Sequence, residues 1–420
     1  MKKNLTLILC LLWSFTALSQ AIDTTQQVVK GRKNSISQQK KPYVIMISVD
    51  GMRYDLARKY EAKNLLALGR SGVMATSMIP SYPSVTFPNH YTLVTGLYPS
   101  HHGMVGNRYY DRKFKEIYTT RGKPVLEGKW YGGVPLWVLA EQQKMLTASF
   151  YWVGSEAPIK GLFPTYYYKY NEKISISNRI KAVVNWLKLP AATRPHFITF
   201  YFPEVDHAGH KFGPNAPETR DAVLFIDSAV NQLNKAVKAT GLKVNFILVS
   251  DHGMTNIDGA HTLSVPTLID TAKFKVLNEG ELVQIYAKDT AATLATYQEL
   301  KKQASGYNVY LRGKTPLRWH YNTANDRYNR IADILLIPQH PKIFTSGSRK
   351  PNPGAHGYDP ALVKDMHATF LSWGPAFKSK LTVQPFENVE VYPVVAQLLG
   401  LKITEPVDGT KRLANKILKK

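Results

Sequence analysis

Cysteine is nearly absent from this chain: Cys10 is the only one in 420 residues. It lies in the N-terminal apolar segment, and the bulky Leu9 before it argues against a lipid-modified cysteine. The rest of the chain can form no disulfide and offers no thiolate to a metal, so a metal site would have to use His, carboxylate and hydroxyl oxygen. Acidic residues are also scarce, 30 Asp and Glu against 54 Lys and Arg, for a formal net charge of +24. Such a surface attracts anions, whether nucleotides, phosphate esters, lipid headgroups or nucleic acid. The basic residues are scattered rather than blocked, which favours a solvated basic surface, and no stable nucleic-acid partner is expected. Long apolar runs are missing too, apart from 5–18, and there is no internal repeat.

That one run reads as an export signal. Lys2 and Lys3 precede it, it is short for a permanent anchor, and Ala17-Leu-Ser19 supplies small residues for cleavage near Ser19. No transmembrane segment is expected after cleavage. Export without disulfides suits the periplasm or cell envelope of a bacterium. Residues 20–41 are polar and lack apolar periodicity, so a flexible leader is expected there.

The composition that remains, 44% hydrophobic and 20% charged, is globular. Tyr43 to Val49 is a continuous apolar run of the kind buried parallel strands show, and it ends in Asp50-Gly51. Phe197 to Phe202 is a second such run, leading into Asp206 and His210. Val244 to Val249 is a third, leading into Asp251-His252-Gly253. Helical spacing separates them. Alternating strands and helices predict an α/β fold, a central largely parallel sheet flanked by helices. Active sites of such sheets lie beyond the carboxyl ends of the strands, which gathers Asp50, Asp206 and Asp251 at one edge. From 263 to 341 the pattern changes to short strands around one helix. The expected division is therefore a domain over 42–262 and 342–420 with a small α+β insertion at 263–341.

Ser81-Tyr-Pro-Ser-Val-Thr86-Phe-Pro-Asn-His90 reads as a loop that delivers a hydroxyl to a helix start. Thr86 is a good N-cap type, Pro88 is tolerated in the first turn, and Gly96 can end the helix. An ordinary cap and an anion-binding helix start both fit this stretch. Each acidic or imidazole motif is likewise ambiguous alone. An Asp after a strand is commonly a turn former, and Asp206 and His210, four apart, can be a surface pair on one helical face. Together, three Asp, three His and a hydroxyl are ligand types for zinc without cysteine, and their number divides between two ions. Two such ions ~4 Å apart clamp the attacking and leaving oxygens of an in-line phosphoryl displacement.

In order, Asp50-Gly51, Thr86-Phe-Pro-Asn89, Gly106-Asn107, Asp206-x-x-x-His210, Asp251-His252-Gly253-Met254 and Gly354-Ala-His356-Gly357 resemble the motif set of the nucleotide pyrophosphatase/phosphodiesterase family, of the alkaline phosphatase superfamily. The resemblance runs over 43–399. It implies an alkaline phosphatase-like fold and two Zn2+, one held by Asp50, Thr86, Asp251 and His252, the other by Asp206, His210 and His356. It further implies that Thr86 is the nucleophile, that a phospho-threonine forms and is hydrolysed, and that Asn107 donates to a non-bridging phosphate oxygen.

The substrate implied is a small phosphodiester, with a nucleotide diester or pyrophosphate releasing nucleoside monophosphate. Phe87, Trp152, Glu156 and Tyr201 match positions that line the family's nucleoside pocket. Among Tyr166, Tyr167, Tyr168 and Tyr170, alignment on Phe163-Pro164 and Asn171 selects Tyr167 as the ring that stacks on the base. Val153 stands where many members have Pro. Some relatives instead cleave lysophospholipid or choline-phosphate diesters, using aromatic rings around a quaternary ammonium. A phosphomonoesterase would need further positive charge, and the matched motifs contain none. His90 is expected only to pack within the nucleophile helix.

Overall fold

The computed structural model describes residues 25–347 and 350–419. The expected export signal lies outside the described residues. The large sheet has nine strands, numbered here in chain order: β1 Gln27–Val28, β2 Tyr43–Val49, β3 Val73–Ala75, β4 Thr147–Phe150, β5 Tyr166–Tyr167, β6 Phe197–Phe202, β7 Val244–Val249, β8 Phe370–Trp373 and β9 Leu381–Val383. Their spatial order is β1-β5-β4-β6-β2-β7-β8-β3-β9. Neighbours from β5 through β7 are parallel, whereas β1, and β8 against both its neighbours, run antiparallel. The sheet is therefore mixed at its flanks and parallel where the acidic motifs lie.

The parallel centre is sandwiched on both faces, which is why its strands are continuous apolar runs rather than alternating ones. In β2, Val44 and Met46 enter one core and Ile45, Ile47 and Val49 the other. Each such side chain, fully buried, contributes about 1.5–3 kcal/mol. The first core holds helix α1 (Thr86–Thr95) through Tyr91, Leu93 and Val94. The second holds helix α3 (Pro217–Lys238) through Val223, Ile226, Val230 and Leu233. Because β2, β6 and β7 run the same way, the residues after each fall on one edge. Asp50 follows β2 directly, Asp251 follows β7 after Ser250, and Asp206 lies in the first turn of helix α2 (Glu204–Phe212), just after β6.

Between 263 and 341, Phe274–Asn278, Val283–Ala287, Ile334–Pro338 and Tyr307–Leu311 form a separate antiparallel sheet in that order, with helix Thr293–Gln303 beside it. Its strands alternate sides: Ile334 and Leu336 pack in a small local core, while Leu335 and Ile337 join the large core under α1. This unit is thus a second layer fused to the main core. Its turn at 279–281 and the strand that follows reach two site loops. Gln284 Nε2 donates to the Arg108 carbonyl (2.7 Å), one residue past Asn107, and Glu281 packs against Gly357, one residue past His356.

The expected flexible leader is corrected from Thr25 onward. Gln27 and Val28 pair with Tyr167 and Tyr166. Asn34 is 5% exposed; its amide donates to the Ala191 (2.9 Å) and Arg194 (2.7 Å) carbonyls and accepts from Leu146 N (2.7 Å). The segment is held by polar side chains on free backbone groups, an attachment with no hydrophobic period to show in the sequence.

Candidate functional site

Thr86 is the first residue of α1, and the capping position is the extended Val85. Its hydroxyl makes no cap; Oγ1 lies 3.1 Å from His252 Nε2. The cap expected of Thr86 is therefore not made, and the side chain faces the acidic edge of the sheet. Gly96 ends α1 with φ 66°.

Two groups of ligand atoms, each group within 4.8 Å, lie at that edge: Asp50, Asp251 and His252, and Asp206, His210 and His356. The two touch, since the His252 and His356 rings stack with centroids 3.6 Å apart. Close backbone approach makes this possible. A Cβ on Gly51 (φ +67°) would stand 2.9 Å from Asp206 Cα, and one on Gly354 would stand 2.0 Å from the Gly209 carbonyl oxygen.

Each of the three imidazoles is oriented by a backbone carbonyl. Nδ1 of His210, His252 and His356 lies 2.9, 2.8 and 3.0 Å from the carbonyl oxygens of Gly354, Gly253 and Ser84. A carbonyl can only accept, so each Nδ1 carries a hydrogen and Nε2 is the atom each ring turns inward. A backbone carbonyl fixing Nδ1 in this way is how histidines that hold a metal through Nε2 are oriented in other proteins. Among the carboxylates, Asp50 Oδ1, Asp206 Oδ1 and Asp251 Oδ2 are buried without a hydrogen bond, although Asp251 Oδ2 stands in charge contact with His252 Nε2 (2.9 Å) and His90 Nδ1 (3.2 Å). An orphaned carboxylate oxygen in a dry site is costly, and three beside inward Nε2 atoms fit bound cations.

The electrostatics agree with that fit. Burial, then the charges of Asp251 and Asp206, push the Asp50 carboxyl well above its ordinary range. Burial also opposes charge on Asp251, but the His252 and His90 rings outweigh it and hold that carboxyl low. Burial, reinforced by His252 and His210, keeps His356 neutral. Like charges and like lone pairs are crowded together in a way that a divalent cation relieves.

A cavity of about 540 Å3 opens from these groups. Phe87, Asn107, Trp152, Glu156 and Tyr201 all line it, beside Asp50 and Thr86. Asn107 Oδ1 accepts from Phe87 N (2.9 Å), so its NH2 is the end left for a ligand. Trp152 is pinned by Nε1 donating to the His90 carbonyl (3.0 Å). Glu156 Oε1 accepts from Tyr170 N (2.9 Å), and burial raises its carboxyl pKa.

Tyr167 is the exception and is corrected. It sits in β5, paired with Gln27 and Ser149, with its ring stacked on Phe163 at 5.4 Å, and it does not line the cavity. Tyr170 lines it instead, three residues past the strand, with its ring 6.0 Å from Tyr201. Strand-end geometry was the missed signal: side chains beyond β5 reach the site edge, while those within it belong to the sheet.

His90 was also undervalued. Its Nδ1 lies 3.0 Å from the Thr86 carbonyl and 3.2 Å from Asp251 Oδ2, and its Nε2 lies 2.7 Å from Ser48 Oγ. The ring stands between helix α1 and the Asp251 carboxylate. The spacing of four from Thr86 places both on one helical face, a signal already in the sequence.

Fold and site together place the chain among alkaline phosphatase-like α/β proteins, with two adjoining groups of side chains that could hold metal ions beside a hydroxyl. Within that class it belongs to the type I phosphodiesterase/nucleotide pyrophosphatase family, whose profile matches residues 44–359. It is 35% identical over 393 residues to ectonucleotide pyrophosphatase/phosphodiesterase family member 1 of Mus musculus, covering 90% of this chain and 43% of that protein. It is 35% identical over 388 residues to the venom phosphodiesterase of Macrovipera lebetinus, covering 90% of this chain and 45% of that one. The chain thus spans less than half the length of these relatives. Among solved structures, murine ectonucleotide pyrophosphatase/phosphodiesterase 5 superposes with a TM-score of 0.84 at 26% identity, over 90% of this chain and 100% of that chain. An inactive threonine-to-alanine variant of that protein, solved in complex with AMP, gives the same score.

Proposed function

We propose that this chain is an exported, zinc-dependent phosphodiesterase that cleaves nucleotide phosphodiesters or pyrophosphates through a phospho-threonine on Thr86, releasing a nucleoside monophosphate. The observation that carries the proposal is the convergence of three inward imidazole nitrogens and three orphaned carboxylate oxygens on a site that includes the Thr86 hydroxyl. Asp50, Asp251, His252 and Thr86 would hold one zinc, and Asp206, His210 and His356 the other, an all-N/O ligand set suited to that ion. When bound, the two ions supply positive charge at the attacking and leaving oxygens of the displacement.

The chain's own residues supply the rest. Thr86 Oγ1 attacks phosphorus and its bond to the leaving oxygen breaks; water then cleaves the Thr86 ester. The Asn107 NH2 donates to a non-bridging oxygen, a contact worth about 3–4 kcal/mol where charge develops. Phe87 and Tyr170 supply ring faces for a base, with Trp152 and Glu156 behind them. The basic surface draws anionic substrate toward the cavity. For location, the expected export signal is joined by the finding that no helix among the described residues is long and apolar enough to cross a membrane.

A second reading rests on Glu156 and Glu172, which line the cavity beside Tyr151, Trp152 and Tyr170. Carboxylates among aromatic rings also suit a choline headgroup. Turnover of a thymidine 5′-aryl phosphodiester against an aryl phosphocholine decides between them, with Thr86→Ala as the blank. The proposal expects preference for the nucleoside ester and loss of both activities in Thr86→Ala. Higher kcat/KM for the choline ester would replace the nucleotide reading, and an active Thr86→Ala would remove the nucleophile assignment.

A further inference from the structure

Asp50 has two carboxylate oxygens with opposite fates. Oδ1 is buried and has no hydrogen-bond partner, while Oδ2 accepts from the Tyr201 hydroxyl at 2.6 Å. We propose that Tyr201 is a positioning residue that fixes Asp50 as a single-oxygen metal ligand and so links the metal site to the cavity wall. The inference rests on the reading that Asp50 holds a metal ion.

The fold explains why Tyr201 can do this. In β6, Phe200 and Phe202 are fully buried in one core, whereas Tyr201 between them is only partly buried at the margin of that core, with its ring 5.3 Å from His90. The β2–β6 register sets Tyr201 against Ser48 and Phe202 against Val49, and Asp50 N donates to the Phe202 carbonyl (2.9 Å). The phenol therefore stands beside the first residue after β2. Its ring lines the cavity, and its hydroxyl crosses to the carboxylate.

Asp251 is held differently. Its Oδ1 accepts from Gly51 N (3.2 Å) and Ser250 Oγ (3.4 Å), and its Oδ2 faces His90 Nδ1 (3.2 Å). Asp251 thus has several anchors, whereas among the described residues the Asp50 carboxylate is held by the Tyr201 hydroxyl. A hydroxyl can donate to one oxygen and leave the other as the ligand atom, which sets both the rotation of the carboxylate and its denticity. Tyr201 also stands edge-on to His90 at 5.3 Å, so the side chains that orient Asp50 and Asp251 pack on each other.

The test is Tyr201→Phe, which keeps the ring and removes the hydroxyl. Zinc dissociation constants are measured by chelator competition on the full chain, alongside melting of the metal-free protein. Loss of an outer-shell partner costs roughly 10- to 100-fold in metal affinity. The expected result is a loss of that size at one of two sites, with an unchanged metal-free melting temperature. KM for a nucleoside ester at saturating zinc should stay within about twofold, because the wall is intact. Tyr170→Phe, which removes a hydroxyl bonded to Glu172 rather than Asp50, should bind zinc as the unaltered protein does. Unchanged zinc affinity in Tyr201→Phe with a raised KM would overturn the inference and leave Tyr201 a wall residue only. An unaltered protein that takes up no zinc would overturn the metal reading itself.

Discussion

His210 and His356 point their Nε2 atoms at each other across 3.0 Å, from a helix and a distant loop. Both rings give their Nδ1 hydrogen to a backbone carbonyl, so in the neutral state two lone pairs meet. The spacing is near the ~3.3 Å edge between two nitrogens of a tetrahedral zinc with ~2.0–2.1 Å bonds. Asp206 Oδ1, orphaned and 3.4 and 3.7 Å from the two nitrogens, completes the group. This triangle, more than any single residue, gives the site its chemistry.

His90 should act on catalysis without touching substrate. His90→Ala leaves Asp251 Oδ2 and the Thr86 carbonyl without their ring partner. Steady-state kinetics should show kcat lower by roughly 10- to 100-fold, the usual cost of losing a side chain that orients a metal-site carboxylate, with KM little changed. An equal rise in KM with kcat intact would mean that the ring shapes the pocket instead.

The two tyrosines are separable. If Tyr170 stacks on the base, Tyr170→Ala should cost ~1–3 kcal/mol, or about 5- to 150-fold in kcat/KM for a nucleoside ester. Tyr167→Ala, outside the cavity, should change kcat/KM by less than about twofold. Reversal of that order would restore the alignment-based choice of Tyr167.

Asn34 carries much of the attachment of the N-terminal segment. Asn34→Ala would strip partners from Leu146 N and from the Ala191 and Arg194 carbonyls. Chemical denaturation should report a loss of about 1–3 kcal/mol. No change would show that the segment is dispensable for stability.

These contrasts show which parts were legible in the sequence. The buried parallel strands announced themselves as apolar runs, and the Asp after each could be placed on one edge because parallel strands share a direction. Thr86, Asn107 and the six Asp and His residues that meet at the site could be picked out from motif order. Tyr167 was misjudged because alignment on flanking residues does not tell a strand interior from the loop beyond it. His90 and Asn34 were missed because their roles rest on partners far off in the chain, Asp251 at 161 positions from His90 and Leu146, Ala191 and Arg194 at 112–160 from Asn34. Strand Phe274–Asn278 was not anticipated either: Val276 and Asn278 are only partly buried, so its pattern is diluted.

The most direct test is the zinc content of the purified protein, followed against phosphodiesterase activity as a strong chelator removes the metal and added zinc restores it. The account predicts two zinc ions per chain, activity that falls with their removal and returns with zinc, and a metal-free protein less stable by several kcal/mol. Full activity in protein stripped of metal would contradict it.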